Sequence, residues 1–243
     1  MFFCLKCSME NLSLNQNFES VEKSKSITCS LNELGNLDEQ TKEVIDRIKN
    51  SGENIDFEKD ADFNEKYRTG RGPYVISAIS SKDKYSESYR NCTGAIFTGI
   101  DKNSNEEISI LTHQATEKYF LELLGEKNKN NFADDLTQKI KELIGRSKEG
   151  TIDGVIFGGN DFNIDEYKNS VSMISKIFQA ELGFEPTVMT GPNKFESSSK
   201  DTNVYFDAKN RHLYIVRQNI EDNERNHPYI APEMDKKKWS NNS

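Results

Sequence analysis

The chain has 243 residues, 34% of them apolar, and a net charge of −8 from 32 basic and 40 acidic side chains. Counted with glycine in place of tyrosine, the apolar share is about 36%, short of the ~45–50% of an average globular protein, so part of the chain is expected to lie outside a packed core. The acidic balance excludes unspecific attraction to nucleic acid or to an anionic membrane surface, and no apolar run approaches the ~20 residues of a membrane helix.

The N-terminus lacks the basic region and apolar stretch of a secretory signal, so a soluble, cytoplasmic protein is expected. Four cysteines, three of them before residue 30, do not make the dense framework of a small secreted fold, which points to reduced thiols. Residues 1–70 mix Ser, Asn, Glu and Lys. They read as a polar arm with a single helix from Leu37 to Lys49, carried by Val44, Ile45 and Ile48. The Cys4-Leu-Lys-Cys7 spacing has no second pair and no preceding strand, so no metal site is expected there.

After Arg71-Gly72-Pro73 the texture changes, and Tyr74 to Ile79 has strand composition. Asn91 to Ile100 and Glu107 to His113 are β-rich runs separated by Asp-Lys-Asn-Ser-Asn, a hairpin pattern. Apolar residues at spacings of three and four predict helices from Thr116 to Leu124 and from Phe132 to Ile144, the second capped by Asn130 or Asn131. Thr151 to Phe157 reads as a buried strand closed by Gly158-Gly159. Ile164 to Leu182 reads as a long helix with Val171, Ile174, Ile177 and Phe178 on one face and Gly183 at its end. Strands are expected at Thr187 to Thr190, Asn203 to Phe206 and His212 to Gln218, the last two joined by a turn over Asp207 to Asn210. Residues 220–243 read as a second polar tail. The expected body, residues 71–219, is a single α+β domain.

Within that body there is one cysteine, Cys92, at the start of a strand whose hairpin partner ends at His113. A turn centred between Lys102 and Asn103 places the two directly opposite, with Cβ atoms ~4.5–5.5 Å apart. A four-residue turn leaves them diagonal at ~7–8 Å on the same face. A slip of one residue separates them onto opposite faces. A thiol beside an imidazole suits acyl transfer from an amide, because the imidazole takes the thiol proton and later protonates a leaving amine. The competing reading makes Cys92 a small buried apolar residue and His113 a hydrogen-bonded strand end. Gly158-Gly159-Asn160 lacks the Lys-Ser/Thr of a phosphate loop and reads as a tight turn packed against the hairpin. The acidic clusters Asp134-Asp135 and Asp161 to Glu166 read as solvated helix caps.

The order of these features resembles the chemoreceptor glutamine deamidases of the CheD type. Those features are a strand opening at Cys92, a partner closing at His113, a helical middle, a strand ending in Gly158-Gly159 before a long helix, and the final hairpin Val204-Tyr-Phe-Asp…Leu213-Tyr-Ile-Val. The Cys-His core is also similar to that of the cytotoxic necrotizing factor toxins. The resemblance spans Tyr74 to Gln218 and implies a β-sandwich of mixed sheets flanked by helices. It also implies a third site residue six positions before the nucleophile, here Ser86, where the family usually has Thr. Leu-Gly-Ser before the family's Cys is replaced by Tyr89-Arg90-Asn91, and the Cys-to-His spacing is longer. The implied activity is deamidation of a glutamine side chain on a protein substrate by Cys92, His113 and Ser86, with no cofactor and no metal. A toxin or effector delivered into a host cell is one form of this role. Other thiol enzymes on the same pair, a peptidase or a transglutaminase, and a non-catalytic binding domain are the alternatives.

Overall fold

A computed structural model describes residues 26–55, 74–87, 89, 92–115, 126–159, 164–189 and 200–219. The helix expected from Thr116 to Leu124, the tail from 220 onward and the Cys4-Cys7 pair lie outside the described residues. Ten strands and three α-helices form among those described: β1 Thr28–Glu33, α1 Glu39–Ser51, β2 Glu53–Asn54, β3 Tyr74–Ile76, β4 Lys84–Ser86, β5 Thr93–Ile100, β6 Glu107–Gln114, α2 Glu126–Arg146, β7 Asp153–Gly158, α3 Ile164–Leu182, β8 Thr187–Val188, β9 Lys200–Asp207 and β10 His212–Asn219.

The strands make two five-stranded mixed sheets, ordered β1-β10-β9-β4-β2 and β3-β6-β5-β7-β8. Alternation along the strands sorts the side chains into three apolar layers. Ile96, Leu111, Val155 and Phe157 of the second sheet meet Val204, Phe206, Leu213 and Ile215 of the first, and this is the core of a β-sandwich. The outer face of the second sheet, with Phe97, Ile110 and Ile156, is covered by α2 through Phe132, Leu136 and Ile140 and by α3 through Ile174 and Phe178. On the outer face of the first sheet, Tyr85, Tyr205 and Val216 lie under Ile45 and Ile48 of α1. The protein is a single α+β domain, a sandwich with helices on both outer faces.

Helix α3 has the expected bounds, with Val171 and Ile177 packed beside its buried Ile174 and Phe178. Gly183 ends it at φ +80, a backbone that glycine adopts without steric cost. Helix α2 begins earlier than expected, at Glu126, so Asn130 and Asn131 are interior residues and not caps. Asp134 and Asp135 fall inside the same helix, and Asp135 accepts a 2.7 Å hydrogen bond from the Tyr74 hydroxyl, so that cluster is not a cap either. Asp165 and Glu166 do sit in the first turn of α3.

The larger departure lies at the N-terminus, since residues 28–54 are built into the fold where a polar arm was expected. Strand β1 pairs in parallel with β10 from Thr28↔His212 to Glu33↔Arg217, and β2 pairs with β4. Edge strands need only one buried face and one bonded neighbour, so their short, mostly polar sequences carry little alternation to read. Helix α1 is capped by Asp38, whose side chain accepts from Thr41 N at 2.7 Å, and it turns tightly into β2 at Gly52. A Cβ on Gly52 would lie 2.6 Å from Ile48 O and 2.9 Å from Asp83 O, so a larger residue does not fit this turn.

Candidate active site

Both hairpins of the sandwich close with the same device. Asp101 N donates to Glu106 O at 2.8 Å, and the Asp101 carboxylate accepts from Asn103 N and Ser104 N at 2.8 and 3.1 Å. Asn105 completes the turn at φ 62. In the second hairpin Asp207 accepts from Asn210 N at 3.1 Å and Arg211 takes φ 53. The first turn, residues 102–105 inside the Asp101–Glu106 pair, sets the β5–β6 register so that Gly94 faces His113 and Thr93 faces Gln114.

This register makes Cys92 and His113 diagonal neighbours on one sheet face. The shared face is the one turned toward the other sheet, because Ile96, Leu111 and Val75 alternate with these positions and all belong to the inter-sheet core, against which Cys92 also packs. Cys92 is half-buried and His113 is only 2% exposed. Glycine at position 94 leaves room between them, since a Cβ there would lie 2.7 Å from the Tyr89 ring and 2.5 Å from that of Phe157.

Ser86 arrives from the opposite sheet. Strand β4 pairs with β9 at Ser86↔Val204, which turns Ser86 inward, and its Oγ lies 2.9 Å from His113 Nδ1. The same hydroxyl donates to the carbonyl of Ile55, just after β2. A hydroxyl has a single proton to give, so the proton on the imidazole contact belongs to His113: Nδ1–H donates to Ser86 Oγ. Nε2 therefore carries the ring lone pair in the neutral imidazole. Burial pushes the His113 pKa down from 6.5 to about 3, so the ring is neutral across the physiological range.

Two further groups complete the site. The ring of Tyr89, itself buried, stacks on the His113 imidazole with centroids 3.7 Å apart and planes 17° from parallel. Its hydroxyl donates to Thr112 O at 3.0 Å and its amide to Thr202 O at 2.9 Å, so Tyr89 is held by both sheets. Sequence pattern did not assign Tyr89 to the site; its one clue was an aromatic residue in an otherwise polar segment. The Gly158-Gly159 turn does pack on the hairpin. Gly158 and Gly159 take φ +86 and +83, and Gly159 N donates to Cys92 O at 2.8 Å. A Cβ at Gly158 would lie 2.6 Å from that carbonyl, so the double glycine fixes the backbone of Cys92 by close approach.

The remaining candidates separate from this cluster. Cys29 is not a residue of a polar tail: it is half-buried in β1, and burial together with the nearby Asp153 carboxylate pushes its thiol up to about 11, which makes it a poor nucleophile. His212 begins β10 and contacts Ser30 Oγ at 3.1 Å on the first sheet. Among the described residues no three His, Cys, Asp or Glu side chains gather as metal ligands, and no helix is long and apolar enough to cross a membrane. Comparison with protein-family models and with curated proteins finds no match for this chain.

Proposed function

We propose that Cys92, His113 and Ser86 hydrolyse the side-chain carboxamide of a glutamine on a protein substrate, releasing ammonia and leaving glutamate. The observation that carries this reading is a buried, neutral imidazole whose Nδ1 proton is committed to Ser86, set on the same sheet face as the half-buried thiol of Cys92. Because His113 is neutral at rest, the pair starts as thiol and imidazole, not as a preformed ion pair. His113 acts as the general base when Cys92 attacks.

In the first half-reaction the S–C bond forms as the thiol proton moves to Nε2, giving a tetrahedral oxyanion. Its negative charge requires nearby hydrogen-bond donors. The Gly159 amide is engaged by Cys92 O and does not supply one of them. The C–N bond then breaks as Nε2 returns its proton to nitrogen, and ammonia leaves a thioester. Water adds to the thioester carbon with its proton passing to Nε2, the C–S bond breaks, and the proton returns to sulfur. The stacked Tyr89 face favours the transient imidazolium through its ring quadrupole. None of these steps calls on a metal or an organic cofactor. The likeness to chemoreceptor and toxin deamidases favours ammonia release over the peptidase and transglutaminase alternatives, and an effector acting on a host protein is the form of the role that the polar stretch before residue 26 suits.

Incubation of the protein with candidate protein substrates, read by ammonia release and by mass spectrometry for conversion of glutamine to glutamate, tests the proposal. Cys92→Ala and Cys92→Ser are expected to abolish ammonia release. Activity retained in either variant would overturn it, and peptide cleavage or amine incorporation in place of ammonia would select the other thiol chemistries. The rate should also stay level as pH falls through 6.5, since the free base persists down to about 3. A pH–rate profile with an acid limb near 6.5 contradicts the assigned base.

A further inference from the structure

The site is assembled across two sheets, and its geometry depends on how they are held together beside β4. Lys84 lies on β4 two residues before Ser86 and points to the same inner face, with no exposed surface. Its ammonium donates to three acceptors: Glu53 Oε2 on β2, Ala78 O at 3.0 Å and Ser80 Oγ at 2.9 Å. A lysine so buried is uncommon, and this one divides its three protons between two chain segments, β2 and the edge stretch after β3.

Those segments are the ones that frame Ser86 and His113. Ile76 pairs with Thr112 and Ser80 with Ser109, so the edge of the second sheet spends one residue more than β6 over the same stretch, which is a β-bulge. The bulge turns Ala78 O out of the ladder and toward Lys84. The β6 residues flanking it lead directly to His113. On the other side, Glu53 pairs with Lys84 in the β2–β4 ladder, and two residues later Ile55 offers the carbonyl that receives the Ser86 hydroxyl. A single ammonium thus ties β4 and β2 of one sheet to the edge of the other, beside the Ile55 O, Ser86 Oγ and His113 Nδ1 chain.

The geometry points to Lys84, with Glu53, as a positioning pair that holds the Ser86–His113 contact in register and so keeps the catalytic proton acceptor on Nε2. This rests on the thiol-hydrolase reading, and it assigns no contact between Lys84 and substrate. Displacing Ser86 relative to the ring would let the imidazole exchange tautomers, and misplacement on the ångström scale costs catalysis about 10²-fold.

The test compares the full chain with Lys84→Met and Glu53→Gln by ¹⁵N resonances of the His113 ring, thermal melting and steady-state ammonia release. A folded Lys84→Met is expected to show a mixture of His113 tautomers and a kcat lower by about 10- to 100-fold, with KM within about twofold. Glu53→Gln, which keeps an acceptor for Nζ, should show the same changes at smaller size. A folded Lys84→Met with the wild-type tautomer and kcat overturns the inference, as does a change confined to the melting temperature. Should Lys84→Met fail to fold, Glu53→Gln with an unaltered ring spectrum overturns it. Absence of ammonia release by the wild type on every substrate would count against the deamidase reading alone, because the ring tautomers still report on Lys84.

Discussion

The two sheets are tied together by polar contacts at both ends of β6, and the ties differ in kind. At the Glu107 end, Arg211 reaches from the β9–β10 turn of the first sheet to the second. Its Nε is 3.1 Å from Glu107 Oε1, and its terminal nitrogen donates to Thr151 O at 2.5 Å, while Thr98 adds its hydroxyl to Glu107. At the other end His113 meets Ser86 with no formal charge on either partner. Burial raises the Glu107 carboxyl and lowers the Arg211 guanidinium, and in each case the partner's charge works against that shift. His113 is shifted by burial with no such opposing charge. The ionic tie holds its charges by mutual compensation and has no reason to exchange a proton. The neutral tie leaves a base that a nearby thiol can charge, so the same kind of crossing serves attachment at one end and chemistry at the other.

Breaking the ionic tie should have the largest effect on the fold. Arg211→Met leaves the largely but not fully buried Glu107 without its cation and is expected to cost about 3 kcal/mol in denaturant unfolding. A loss under 1 kcal/mol would show that the carboxylate finds water or another partner. Acid acts next, and on the neutral tie. With a folded pKa of about 3 below an unfolded value of 6.5, the unfolded chain binds the proton that the folded ring refuses. The stability due to His113 is therefore complete above pH 6.5 and declines as pH falls toward 3. At pH 4.5 the loss should be about 3 kcal/mol relative to neutral pH. Subtracting the pH dependence of a folded His113→Asn isolates it, and equal slopes in the two proteins would contradict the assigned burial.

Ser86→Ala is expected to destabilise by about 1–3 kcal/mol, because Ile55 O and His113 Nδ1 both lose a buried partner. It should also lower kcat far more than a surface substitution of equal stability cost. A loss of stability with kcat unchanged would reduce Ser86 to a packing residue. The smallest effect is expected from Tyr89→Phe, which keeps the ring on His113 and removes only the hydroxyl bonded to Thr112 O. About 1 kcal/mol of stability and little activity should be lost, while Tyr89→Leu should lose the stack and lower kcat.

Much of the fold was legible along the chain. The apolar stripe of α3, with Gly183 behind it, delimits that helix to its ends. The Asp-Lys-Asn-Ser-Asn turn and its flanking runs define β5 and β6, and Gly158-Gly159 reads correctly as a turn against the hairpin. Strands β1, β2 and β4 were not legible. Lys84-Tyr85-Ser86 places a lysine and a serine on its inner face and its one apolar residue, Tyr85, under α1, opposite to what apolar alternation predicts, and Cys29 was assigned to a polar tail for the same lack of pattern. The site divides the same way. Cys92 and His113 are connected by a local hairpin whose turn residues limit the register to a few choices, while Ser86 was singled out only through a family likeness and Tyr89 not at all.

Sequence by itself determined the elements whose order depends on neighbours within a few residues: the amphipathic helices, the two Asp-closed hairpins, and through one of them the possibility of a thiol near an imidazole. Only the tertiary structure decided that the register is the diagonal one, that the shared face looks into the sandwich and not toward the helices, and that Ser86, Ile55 and Lys84 arrive there from the other sheet. Helical and hairpin preferences are set by short-range hydrogen bonding and periodic burial, which act within one segment. The proton on His113 Nδ1 is set by a serine and a carbonyl 27 and 58 positions away along the chain, brought within reach by the packing of two sheets.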